Sequence, residues 1–174
     1  RLYNSMGSRR MNAHTWVEET VYKIDLPSNR FTHWAKTEAE RFSKPVFRLF
    51  QTELETVYEE KNRSMDNKDR LIRKAVHGML YKLHPYGQRT TLGSVEHLKN
   101  PSLKRMREYY QAYYVPNNMA VLVSGDIEIA PAIELIDAEF SAWEPHELPK
   151  VMRWKEPKLT EREHVSVSYP GEEY

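Results

Sequence analysis

The stretch that most restricts what this chain can fold into is residues 47–63, FRLFQTELETVYEEKNR, whose spacing predicts a helix of three or four turns with carboxylates on its apolar side. At about 100° per residue and with Glu53 set to zero, Val46 lies at about 20°, Leu49 at about −40°, Val57 at about 40°, Phe50 at about 60° and Glu60 at about −20°. Glu53 and Glu60 are therefore expected inside the buried arc, with Glu55 and Glu59 on the far side. A carboxylate is rarely buried unless it is paired, hydrogen-bonded or bound to a metal. What Glu53 and Glu60 face is thus the first functional question the sequence raises.

Composition narrows the classes of answer. The 174 residues are enough for one substantial core, and 40% apolar with 29% charged residues describes an ordinary globular chain. With 26 basic and 25 acidic side chains the formal charge is +1, so there is no overall field to draw nucleic acid or anionic lipid. There is no Cys, hence no disulfide and no thiolate chemistry. No run of 18 apolar residues appears, so no membrane-spanning helix is expected. The chain opens on RLYNSMGSRRMNAHT without Met or an apolar signal core and closes on VSVSYPGEEY, just after a strand and turn begin; both ends read as cuts in a longer protein.

Taken in order, residues 11–25 alternate polar and apolar side chains and read as one strand, possibly bent, ended by Pro27. Phe31, Trp34, Ala35, Glu38 and Phe42 then recur at three- and four-residue steps, a helix, and Pro45 opens the glutamate helix from its first turn. Residues 65–69 are a link and residues 69–83 a third helix, stopped by HPYG at 84–87, where Gly87 is expected to adopt positive φ. Ser94 and Ser102 read as N-caps of two further helices. After Pro116, MAVLVSGD reads as a central buried strand, and residues 127–143 as a helix with Ile129, Ile133, Ile136 and Phe140 on its apolar side. The expected fold is α+β, a two-layer α/β sandwich with a mixed, mostly antiparallel sheet covered by helices. Residues 1–143 read as one partial domain, the Pro-rich residues 144–163 as a linker or interdomain arm, and residues 164–174 as the start of a following domain or a stray strand, HVSVSYP at 164–170.

Several constellations carry competing readings. Glutamates seven apart on one helical side suit a metal ligand and a carboxylate supporting it, but buried glutamates also pair with Arg or Lys of a packed helix. The histidines, at 14, 33, 77, 84, 97, 146 and 164, form no HxxH, HxxxH or HxxEH, and His84 before Pro85 reads as a turn or packing residue. Asn12, Ala13, His14 and Thr15 suit an edge strand: a small Ala lets another backbone approach and Asn can bind a peptide carbonyl, as in strand addition by an extended peptide. The alternative is a turn leading into a strand. Tyr109, Tyr110, Tyr113 and Tyr114 have helix-packing spacing rather than the context of a base-stacking platform. There is no GxGxxG, no GxxxxGK[ST] and no nucleophile elbow at Ser124.

In order and spacing, Gly7 with NAHT at 12–15, ELETVYEE at 53–60, HPYG at 84–87 and YYVPNNMAVLVSGD at 113–126 resemble the pitrilysin/insulinase family of zinc metallopeptidases, the inverzincins, which includes the mitochondrial processing peptidases. The resemblance covers nearly the whole chain and makes residues 1–143 a partial peptidase-like domain. It implies that Glu60 is the third zinc ligand, that Glu53 is its supporting carboxylate, and that Asn12, Ala13, His14 and Thr15 lie on the edge strand that pairs with peptide substrate. The family's HxxEH segment, which supplies two His ligands and the Glu that activates water, precedes the NAHT-like strand and is absent here.

The resemblance therefore implies a fragment of a zinc endopeptidase domain that is inactive as it stands, with zinc in the intact parent and none bound to this chain. The alternative is a non-catalytic peptide-binding or scaffolding subunit of the same fold. Implied partners are a peptide or unfolded polypeptide substrate and a second homologous domain or subunit, with homodimers where apolar surface is exposed; nucleic acid is not among them. A bacterial periplasm or cell envelope is preferred over cytoplasm.

Overall fold

The structure is a computed structural model that describes residues 2–169. Its elements run α1 (Leu2–Ser5), β1 (Arg9–Thr15), β2 (Thr20–Asp25), α2 (Phe31–Ser43), α3 (Phe50–Met65), α4 (Lys68–Leu80), α5 (Pro85–Gln88), α6 (Val95–Lys99), α7 (Leu103–Tyr113) and α8 (Ile129–Phe140). The class is α+β, with β1 and β2 paired antiparallel. The chain divides into two units, Arg1–Arg48 with Ser102–Lys150, and Leu49–Pro101 with Val151–Tyr174.

The first unit is built around α2. Its inner stripe is Ala35, Glu38, Ala39 and Phe42, all buried, and the remaining buried residues are Met6, Val115 and Ala132. The small side chains let α2 and α8 approach, while Phe42 fills the space beyond: its ring lies 5.4 Å from Tyr22, 6.3 Å from Tyr114 and 6.2 Å from Trp143. Tyr110 stacks on Tyr114 at 4.3 Å and donates from its hydroxyl to the Phe42 carbonyl at 3.0 Å. The tyrosine run is thus helix packing. On α8 the covered positions are Ala132, Leu135, Ile136, Glu139 and Phe140, and Ile129 and Ile133 face out.

The second unit packs α3 with α4 and α6, and α4 with α5. Asn67 caps α4 by accepting from the Arg70 N–H at 3.0 Å. Ser94 and Ser102 cap α6 and α7 as their sequence context predicts. At HPYG the requirement for glycine is not positive φ. A Cβ at Gly87 would lie 1.9 Å from the Tyr81 carbonyl oxygen, so close backbone approach is what excludes a side chain.

Three expectations about strands change as well. Residues 11–25 form a hairpin rather than one strand, because residues 16–19 turn the chain. Residues 119–126 form no strand: no described strand pairs with them, and Val121, Leu122 and Val123 are exposed, Leu122 at 89%. An apolar run is buried in a sheet only where neighbouring strands receive it. Residues 164–169 likewise form no strand, and the remainder of that expected strand, from Pro170 on, lies outside the described residues.

Candidate peptide and metal site

The hairpin sets the geometry of Asn12, Ala13, His14 and Thr15. They pair with Lys23, Tyr22, Val21 and Thr20 in turn, and a register shift between Arg9 and Asn12 coincides with Arg10 at φ 48°. Arg10 Nε holds Asp25 Oδ2 at 2.6 Å across that bulge. The Trp16 N–H donates to the Glu19 carbonyl at 2.8 Å, which closes the hairpin on a hydrogen-bonded pair. Antiparallel alternation then turns the backbone groups of Ala13 and Thr15 away from β2, toward the open side of a two-stranded sheet. All of β1 is exposed. The Ala13 N–H is held by the Asn12 side-chain Oδ1 at 2.9 Å, so the edge carries its own temporary acceptor.

On α3, Glu53 and Glu60 are both exposed, not within the buried arc. The reason is where the helix starts. Leu49 stands in the left-handed region at φ 54°, so Val46 and Leu49, which anchored the apolar arc in the sequence reading, lie outside the helix and are themselves exposed. The half-covered face runs through Phe50, Leu54, Val57, Tyr58 and Lys61 instead. Burial lowers the Lys61 pKa, helped by the positive charges of Lys74 and Arg70. The two carboxylates still share one stripe, seven residues and about 10 Å apart along the axis. Neither side chain makes a hydrogen bond or ion pair among the described residues.

No group of three or more His, Cys, Asp or Glu converges among the described residues, so these residues alone do not fit a zinc ion with three protein ligands. Among the histidines of the second unit, His84 is a packing residue: its Nδ1 accepts from the Tyr86 N–H at 3.2 Å and its ring lies 4.1 Å from that of Tyr86.

A constellation that periodicity did not single out lies in the first unit. The buried Glu38 accepts from the Tyr3 hydroxyl and from Arg41, whose Nε reaches it at 3.1 Å. Arg41 also covers the rings of Tyr22, 4.8 Å away, and Phe42, 4.1 Å away. Tyr22 and Tyr114 join hydroxyls at 3.0 Å. Burial is the main cause that raises the Tyr3 and Tyr22 pKa values, and it moves Tyr110 up to about 12. The sequence signal was a Glu at an apolar step of α2; its partner Arg41 lies one turn on, whereas Tyr3 is 35 residues away.

Residues 101–173 match the family described as Peptidase M16 inactive domain. Across a longer span the chain is 28% identical to the probable zinc protease PqqL of Escherichia coli, over 80% of this chain and 16% of that protein. Over these stretches the chain is similar to M16 peptidases. It is also 27% identical to the probable zinc protease PqqL of Haemophilus influenzae, over 89% of its own length and 18% of the relative's. Its fold matches the crystal structure of the first half of the periplasmic protease PqqL from Escherichia coli at a TM-score of 0.76, with 24% identity, over 88% of this chain and 34% of that one. The chain spans less than a fifth of the curated relatives it matches. Glu53, Glu60 and residues 12–15 lie outside the segment matched to the inactive domain.

Proposed function

We propose that these residues are part of a zinc-dependent endopeptidase that hydrolyses peptide bonds, in which Glu60 is the third metal ligand, Glu53 supports it, and the edge at Asn12, Ala13, His14 and Thr15 pairs with extended substrate. The observation that carries the reading is the stripe on α3: two exposed carboxylates without partners, at the spacing of the family's glutamate segment. Glu55 and Glu59 of the same helix are exposed too, so what supports a ligand role for Glu53 and Glu60 is the likeness of ELETVYEE at 53–60 to the family's glutamate segment. The outward backbone groups of Ala13 and Thr15 support the substrate assignment.

In that longer protein, residues 1–143 belong to a partial peptidase domain, 144–163 to an arm joining it to the next, and 164–174 to the opening of that next domain. Its partners are a polypeptide substrate and a second homologous domain, and its place is the bacterial periplasm or cell envelope, as for the Escherichia coli relative. On this reading the 174 residues alone are inactive, and the lack of a three-ligand donor set among the described residues supports that expectation. Elemental analysis of the purified chain with a peptide-cleavage assay tests this: substoichiometric zinc and no turnover are expected, whereas tight one-to-one zinc with turnover refutes it. In the longer protein, Glu60→Gln is expected to abolish zinc retention, and Glu53→Gln to weaken metal affinity about 10–100-fold.

The match of residues 101–173 to an inactive domain favours a second reading, a non-catalytic peptide-binding or scaffolding subunit of the same fold. Sequence preceding Arg1 separates the two: an HxxEH there makes the parent an enzyme, and its absence makes it the subunit.

A further inference from the structure

The arm does not hang free where it meets the second unit. Glu156 accepts the backbone N–H groups of three consecutive residues: Lys82 at 2.8 Å, Leu83 at 3.1 Å and His84 at 2.6 Å. Successive amides converging on one anion make a concave cradle of partial positive charge, and a carboxylate receiving several such bonds is held more strongly than by neutral hydrogen bonding. Contacts on either side of Glu156 reach the same unit. Trp154 meets the His84 ring edge-on at 6.4 Å, Lys82 Nζ holds Glu163 Oε2 at 2.6 Å, and the Tyr169 hydroxyl donates to the Asp66 carbonyl at 2.6 Å. Desolvation is the largest single influence on the Glu156 pKa and raises it, but the three cradle amides and the nearby His84 together outweigh it and lower the value.

We infer that the turn at residues 82–84 is a carboxylate-binding cradle whose ligand is Glu156 of the chain's own arm, clasping residues 151–163 to the second unit. The part of the arm that belongs to the first unit is fixed separately, by a reciprocal pair in which Asn117 Nδ2 donates to the His146 carbonyl at 2.9 Å and Asn117 Oδ1 accepts the His146 N–H at 3.3 Å. The unfastened stretch is therefore short and lies between these two pins, where Val151 is 89% exposed. This goes beyond the peptidase reading and stands whichever form of that reading holds.

The test is amide hydrogen exchange on the full 174-residue chain, with limited trypsin digestion at Arg153, Lys155 and Lys158. Glu156→Ala is expected to speed exchange at Lys82, Leu83 and His84 about tenfold or more and to hasten cleavage of the arm, while Glu156→Gln, which keeps one acceptor, gives a smaller increase. Glu147→Gln, an exposed acid on the same arm, is the control and should change neither. Unaltered exchange at 82–84 in a Glu156→Ala variant with native circular dichroism overturns the inference. Should that variant fail to fold, the carboxyl titration of Glu156 in the unaltered chain decides: its midpoint should lie below the ordinary glutamate value, and an ordinary midpoint overturns the clasp.

Discussion

Glu38 is tolerated inside the first unit because Tyr3 and Arg41 both donate to it, and Arg41 is held over two aromatic rings while it does so. Removing the cation strands a covered carboxylate, which costs far more than the pair itself contributes. Arg41→Met is therefore expected to lower unfolding free energy by about 2 kcal/mol, less than for a fully buried pair because Arg41 is partly exposed. Urea unfolding measures this, and a Glu38→Gln, Arg41→Met double variant should recover part of the loss. Gly87→Ala is expected to destabilise by about 3 kcal/mol or more, since the obstructing atoms are the carbonyls of Tyr81 and His77 and neither is a flexible side chain. A thermal melt within 2 °C of the parent would refute it. At this scale the sequence placed Glu38 on the apolar steps of α2 and gave Gly87 the wrong reason, positive φ, because the Tyr3 partner is remote and a backbone approaching a backbone leaves no mark in residue type.

Elements were legible where their signals are local. Ser94 and Ser102 announce α6 and α7, and the apolar steps of α2 select the face that is buried. The orientation of α3 was not legible, because it depends on a backbone corner. Once Leu49 leaves the helix, the covered arc turns by about 80° toward Leu54 and Lys61, and Glu53 and Glu60 fall on its edge. The elements of the first unit also set an alkaline limit. A tyrosine whose pKa is raised on folding stabilises fully below its unfolded value and loses that contribution as pH rises through the folded one. For Tyr110 the two values are 10.0 and about 12, and Tyr3 and Tyr22 shift in the same direction. Stability should therefore fall between about pH 10 and pH 12, and Tyr110→Phe should remove part of the slope but not all of it.

For the whole molecule the α+β class was legible, and the resemblance read from the motifs agrees with the similarity to PqqL. The expected central strand was not realised, since strand formation is settled by neighbours and not by the run itself. That bare run, Met119 to Val123, has consequences in the test tube. It is uncharged, contains two valines and is free of proline, the makings of a dry steric zipper, and beyond the Met119 N–H no backbone group of the run is hydrogen-bonded among the described residues. Concentrated samples should therefore gather slowly into thioflavin-positive fibrils, with a lag that shortens as protein is added. Leu122→Lys should lengthen that lag severalfold at unchanged helicity, and an identical lag would move the blame to another segment.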